Sequence, residues 1–149
     1  MNKKSKMTDK NVKIVSCLLI LLLGLLIGCI ATGEALKADP GQKFTLRIGQ
    51  TAEIKNEPLA IRFNGVTGDS RCPKGVTCVW AGEVKCDATV THQGASSNIT
   101  FTQMGSTEPS SETYKGYKFT FSVQPYPEAG KQIAPADYRL VLTVEKNPP

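Results

Sequence analysis

The chain has few of the residues on which catalysis at neutral pH most often draws. Its 149 residues contain one histidine, His92, and one tryptophan, Trp80. A two-histidine metal motif is therefore excluded, and no serine or cysteine stands in a nucleophile setting such as G-x-S-x-G. There is no internal repeat, and after the N-terminal region no stripe of apolar residues at helical spacing. A basic domain is missing as well. The 18 Lys and Arg exceed the 13 Asp and Glu by 5, but Lys3, Lys4, Lys6, Lys10 and Lys13 all precede the first apolar run, opposed only by Asp9. Residues 29–149 keep 13 basic against 12 acidic side chains, a net charge of +1. That balance removes the usual argument for a nucleic-acid partner. Those 121 residues also suffice for one modest domain and not for two well-cored ones.

The residues that are present first give a location. A basic segment ending at Lys13 is followed by an apolar run from Ile14 to Gly28, the layout of an export signal, and residues 1–28 are set aside from the fold on that ground. Leu26-Ile27-Gly28-Cys29 closes the run and resembles the lipobox of prokaryotic lipoproteins, in which a small residue precedes a cysteine that is lipidated on sulfur and becomes the new N-terminus. The resemblance implies lipidation of Cys29. It places the chain at the cell membrane, lipid-anchored, with its domain on the extracytoplasmic side, in the periplasm or at the cell exterior, and with the basic segment left in the cytoplasm. The alternative is an uncleaved signal-anchor helix, since Ile14 to Ile30 spans 17 residues, the lower limit for crossing a bilayer. Residues 29–43, with Thr32, Gly33, Asp39, Pro40 and Gly41 and almost no large apolar side chain, read as a flexible tether.

From Phe44 the periodicity is two. Phe44, Leu46 and Ile48 alternate with polar neighbours, as do Leu59, Ile61 and Phe63, then Val84, Cys86, Ala88 and Val90, then Ile99 and Phe101, then Tyr117, Phe119, Phe121 and Val123, and last Tyr138, Leu140, Leu142 and Val144. Turn-forming residues separate them at Gly49-Gln50, Asn64-Gly65, Gln93-Gly94, Gly105-Ser106 and Pro125 to Pro127. The pattern predicts an all-β domain over residues 44–147, a single Ig-like β-sandwich of about seven antiparallel strands behind the N-terminal signal or anchor helix. Gly105 to Gly116, rich in Ser, Thr and Glu, is the expected mobile loop.

The most specific patch is Asp69-Ser70-Arg71-Cys72-Pro73-Lys74-Gly75-Val76-Thr77-Cys78-Val79-Trp80-Ala81-Gly82. It resembles the D-S-R-C-P-x-G-x-x-C-x-W-A-G signature of small uncharacterised exported proteins and lipoproteins of bacteria and archaea. More loosely, the likeness extends to the Phe44 strand, Pro125-Tyr126-Pro127 and Asp137-Tyr138-Arg139. It implies an exported β-domain with a disulfide-stapled loop, and no particular activity. Cys86 lies outside the signature.

Cys72 and Cys78 enclose five residues, among them Pro73 and Gly75, which suit a tight turn that brings the sulfurs together. Cys86, in phase with Val84 and Val90, reads as a buried thiol, with an alternative pairing as its rival. A metal site from Cys72, Cys78 and Cys86 with His92 or Asp69 has spacings unlike those of structural zinc sites, and no metal or other cofactor is expected. His92 reads as a solvated residue beside a turn. Asp69 and Arg71 pair to fix the start of the stapled loop in one reading. In the other, Arg71, Lys74 and Trp80 form a recognition surface, an aromatic beside cations on a rigid loop. Trp80, flanked by Val79 and Ala81, reads equally as a lid on the core. The sequon Asn98-Ile99-Thr100 is discounted as a chance match, since a lipobox points to a prokaryote.

Three functional readings follow. The first is a non-catalytic, membrane-anchored domain that binds an envelope protein or extracellular ligand through the loop around Asp69, Arg71, Lys74 and Trp80. The second is a proteinaceous inhibitor of an extracellular hydrolase, because a stapled loop is preorganised to fill a cleft. The third, a metal-assisted enzyme, lacks an acid, base and nucleophile constellation.

Overall fold

The alternation of apolar and polar residues is realised as two layers of strands with the apolar sets turned toward each other. A computed structural model describes residues 34–147; residues 1–28, read from the sequence as an export signal, Cys29 and the start of the expected tether lie outside the described residues. The strands are β1 (Leu36–Ala38), β2 (Lys43–Arg47), β3 (Thr51–Ile54), β4 (Leu59–Asp69), β5 (Glu83–His92), β6 (Ala95–Met104), β7 (Ser110–Tyr114), β8 (Tyr117–Gln124) and β9 (Arg139–Lys146), with a 3-10 turn at Pro135–Asp137. One sheet has the order β1-β3-β4-β5-β6 and the other β2-β9-β8-β7.

Val84, Cys86, Ala88 and Val90 on β5 are buried, as are Phe119, Phe121 and Val123 on β8 and Leu140, Leu142 and Val144 on β9. Phe101 on β6 joins the layers, with its ring centroid 4.6 Å from that of Phe121 and 5.7 Å from that of Phe119. Each such ring contributes about 1.5–3 kcal/mol by leaving water. Cys86 is the free thiol of the described residues; burial, then the charges of Asp87 and Glu112, push its pKa up to about 12.

The sandwich is as expected, and several details are not. Among the described residues it has nine strands rather than about seven, and β1 runs parallel to β3, Leu36 opposite Ala52, instead of antiparallel. β1 lies inside the stretch read as tether: Ala38 is buried and its carbonyl accepts from Lys55 N at 2.9 Å. One buried residue in three leaves no period to detect. The Gly105 to Gly116 stretch is not a free loop, because Ser110–Tyr114 pairs with β8 and closes through a Lys115-Gly116 turn with φ of 51° and 80°, the two-residue hairpin geometry. Asn64-Gly65 is no turn; β4 runs through it with register shifts between Phe63 and Gly65 and between Val66 and Gly68, as bulges do. Finally, β2 ends at Arg47, so Ile48 faces solvent while Leu46 is buried.

Candidate functional site at the stapled end

β4 and β5 end together, Asp69 opposite Val84, and the chain between them forms a stem and a tip. In the stem Ser70 N donates to Glu83 O at 2.8 Å and Cys72 N to Ala81 O at 2.9 Å. Two glycines permit this approach. A Cβ on Gly82 would overlap the Ser70 carbonyl, and one on Gly105 would overlap that of Ala81. The tip is closed by the Cys72–Cys78 disulfide, as the sequence resemblance implies. It is also clipped sideways: Lys74 N donates to Pro127 O at 2.9 Å and Ala129 N to Lys74 O at 3.2 Å.

Arg71 lies beneath the tip, only 3 % exposed. Its Nε donates to Asp69 Oδ1 at 2.9 Å and its Nη2 to Asp69 Oδ2 at 2.6 Å, a bidentate pair. Nη1 reaches Val123 O at 2.7 Å and Nη2 also reaches Pro125 O at 3.0 Å, so the guanidinium bridges from the first sheet to the chain leaving β8. Tyr138 OH donates to Asp69 Oδ2 at 3.1 Å. Burial pushes the Asp69 carboxyl up, yet the Arg71 guanidinium, the Arg71 N–H and Tyr138 together outweigh it and hold the group below its ordinary value. Of the two readings of Asp69 and Arg71, the structural pair is the one found. Arg71 is not on the surface.

Trp80 is the reverse case. It is 81 % exposed and Val79 91 %, so Trp80 is no lid on the core. Val76 and Met104 are exposed at the same end, Met104 through its register opposite Glu83, and Ile48 follows β2 where Arg47 pairs with Arg139. These five are the exposed large apolar residues among the described residues; four lie at the stapled end, and Ile48 sits beside Gly65, midway along β4. Lys74 is exposed beside them, with Nζ 5.8 Å from the Tyr126 ring centroid.

Tyr126 was visible in the sequence only as part of a loose likeness, and it is central here. Its ring lies 5.0 Å from the Arg71 guanidinium, and its hydroxyl donates to Gly105 O at 3.2 Å. Buried Gln103 was missed altogether. Its Nε2 donates to Glu108 O at 2.9 Å and to Ser106 O at 3.3 Å, and its Oε1 accepts from Val123 N at 2.8 Å. Arg71 and Gln103 thus hold the carbonyl and the N–H of Val123 on β8, one from the chain just after β4 and the other from β6. Lone polar residues of this kind leave no pattern in a sequence.

Cys72 and Cys78 are bonded to each other, and Cys86 is in the core, so the three cysteines do not come together. Among the described residues no three His, Cys, Asp or Glu side chains are placed to hold a metal ion. His92, expected in solvent, is half-buried at the end of β5 with its ring edge-on to Tyr117 at 5.7 Å. That opposite end carries a strap across the sheets, Tyr117 OH donating to Glu57 at 2.6 Å and Lys146 Nζ at 3.1 Å. Burial first, and the Glu57 carboxylate second, push the Tyr117 phenol up to about 12.

Comparison of the chain with protein-family models, curated proteins and solved structures finds no match.

Proposed function

We propose that this protein is a lipid-anchored, extracytoplasmic binding module without catalytic activity, which holds an envelope protein through the stapled end of its sandwich. The observation that carries the reading is the contrast within one short segment. Trp80 and Val79 project into solvent from a tip that is stapled by Cys72–Cys78 and fixed from below by a buried Arg71 bonded to Asp69, Val123 and Pro125. Exposed apolar side chains gathered at one site mark interaction surfaces, and a tip already rigid loses little entropy on docking. Tryptophan is also among the residues enriched in binding hot spots.

Photo-crosslinking in cells from position 80 of the full chain tests this. Discrete protein adducts that disappear with Val79→Ala support the reading; adducts to lipid alone, or none, overturn it. An exposed, stapled tip also suits insertion into an enzyme cleft, the basis of a second reading as a hydrolase inhibitor. Slowing of a co-occurring secreted hydrolase, lost with Trp80→Ala, would decide for it.

A further inference from the structure

The sheets have four edges, β1 and β6 in one and β2 and β7 in the other. An exposed edge is a row of unpaired N–H and C=O groups that invites another strand, and proteins blunt it with charge, proline, bulges or brevity. Three of the edges are blunted. β1 has three residues with Lys37 at its centre, β2 is bounded by Lys43 and Arg47, and β7 has Glu112 in the middle of five residues.

β6 has none of these protections. It is ten residues long, Ala-Ser-Ser-Asn-Ile-Thr-Phe-Thr-Gln-Met, without proline. The chain carries no Lys, Arg, Asp or Glu from Gln93 to Thr107. Its ladder with β5 is unbroken from Glu83 opposite Met104 to His92 opposite Ala95, whereas the bulges of this sheet lie between β4 and β5. Beyond that ladder the one further backbone bond to β6 among the described residues is at its very end, where Ser106 N donates to Met104 O at 2.6 Å.

The charges also select the occupant. Two copies meeting edge to edge about a two-fold axis place the same strand against itself. On β1, β2 and β7 that arrangement sets lysine against lysine, lysine against arginine, or glutamate against glutamate, and like charges across a strand pair are destabilising. On β6 no register brings charges together. Ser96, Asn98 and Thr100 are exposed and Thr102 half-exposed on one face, small polar side chains suited to cross-strand hydrogen bonds. We propose that β6 is a dimerisation edge, through which a second copy of this chain pairs antiparallel and extends the sheet across the two molecules.

The test is sedimentation of the full chain in detergent micelles over a range of concentrations. Wild type is expected to form a dimer. The double variant Asn98→Lys with Thr100→Lys should raise the dissociation constant by about tenfold or more, as should the corresponding Glu variant. A one-to-one mixture of the Lys and Glu forms should recover the dimer, and Thr45→Lys on exposed β2 should leave it unchanged. Recovery in the mixture separates the edge contact from misfolding. A monomer at every concentration overturns the proposal, and so does a dimer unmoved by both double variants, which would place the contact in the N-terminal apolar run.

Discussion

Arg71 and Asp69 stand two residues apart at the end of β4 and face each other squarely, Nε to Oδ1 at 2.9 Å and Nη2 to Oδ2 at 2.6 Å. Neither charge is left to water: the arginine side chain is fully buried and the aspartate nearly so. Two further guanidinium hydrogens go to the carbonyls of Val123 and Pro125. The pair is thus the footing of the stapled loop.

Arg71→Ala should therefore unfold the domain more readily, by about 3–5 kcal/mol, because it strands a buried carboxylate and two carbonyls. Arg71→Lys should recover little, since an ammonium cannot reproduce the fork. Trp80→Ala should stay within about 0.5 kcal/mol of wild type, as expected of an exposed side chain. Urea denaturation of the three variants checks this; a mild Arg71→Ala would show that the footing is not needed.

Acid should attack the same pair. The Asp69 carboxyl titrates below its ordinary 3.8 in the folded protein, so its contribution is complete above that value and is lost as pH falls through the folded-state pKa. Glu57, lowered by its hydrogen bonds from Tyr117 and Lys146, acts in the same direction. Melting temperature should drop steeply below about pH 4, and Asp69→Asn should be less stable at neutral pH with a shallower acid limb. Parallel profiles for the two proteins would remove Asp69 from the account.

Cys72→Ser with Cys78→Ser should lower stability by about 2 kcal/mol, the chain-entropy value for so small a ring. The sandwich core should remain, because no core residue belongs to the loop. Cys86 should resist alkylation at pH 8 in the native protein and react once urea exposes it, as peptide mapping of iodoacetamide-treated samples would record. Ready labelling of native Cys86 would mean that the sheets open under native conditions.

Gln103→Ala should cost about 2–3 kcal/mol, since it leaves Val123 N–H and the Ser106 and Glu108 carbonyls without their partner. Gln103→Glu should be nearly as harmful, because a carboxylate keeps the acceptor and loses the donor. Hydrogen exchange at Val123 should accelerate in both; unchanged exchange there would refute the clamp.

These residues also mark how far the sequence could be read. Val84, Cys86, Ala88 and Val90 announce a strand because the core takes every second side chain, and the same regularity carries β8 and β9. Asp69 and Arg71 were legible as a pair, since residues two apart on an extended chain share a face. Which of their readings would hold was not legible: it depends on carbonyls 52 and 54 residues downstream. β1 is too short to show a period, and its pairing is decided by its neighbour β3. The outward course of Trp80 follows from the stem hydrogen bonds of Ser70 and Cys72, which a run of Val, Trp and Ala does not foretell.

The short parallel strand at the start of the domain has a mechanical consequence. β3 descends from Thr51, opposite Arg62, toward the Leu59 end of β4, and β1 runs alongside it in the same sense. A pull on the chain ahead of Glu34, directed toward the stapled end, therefore loads the β1 rungs in shear, all at once. The reverse pull peels them one by one. Three residues at a sheet edge thus make a coupling that resists tension from one direction and yields to it from the other.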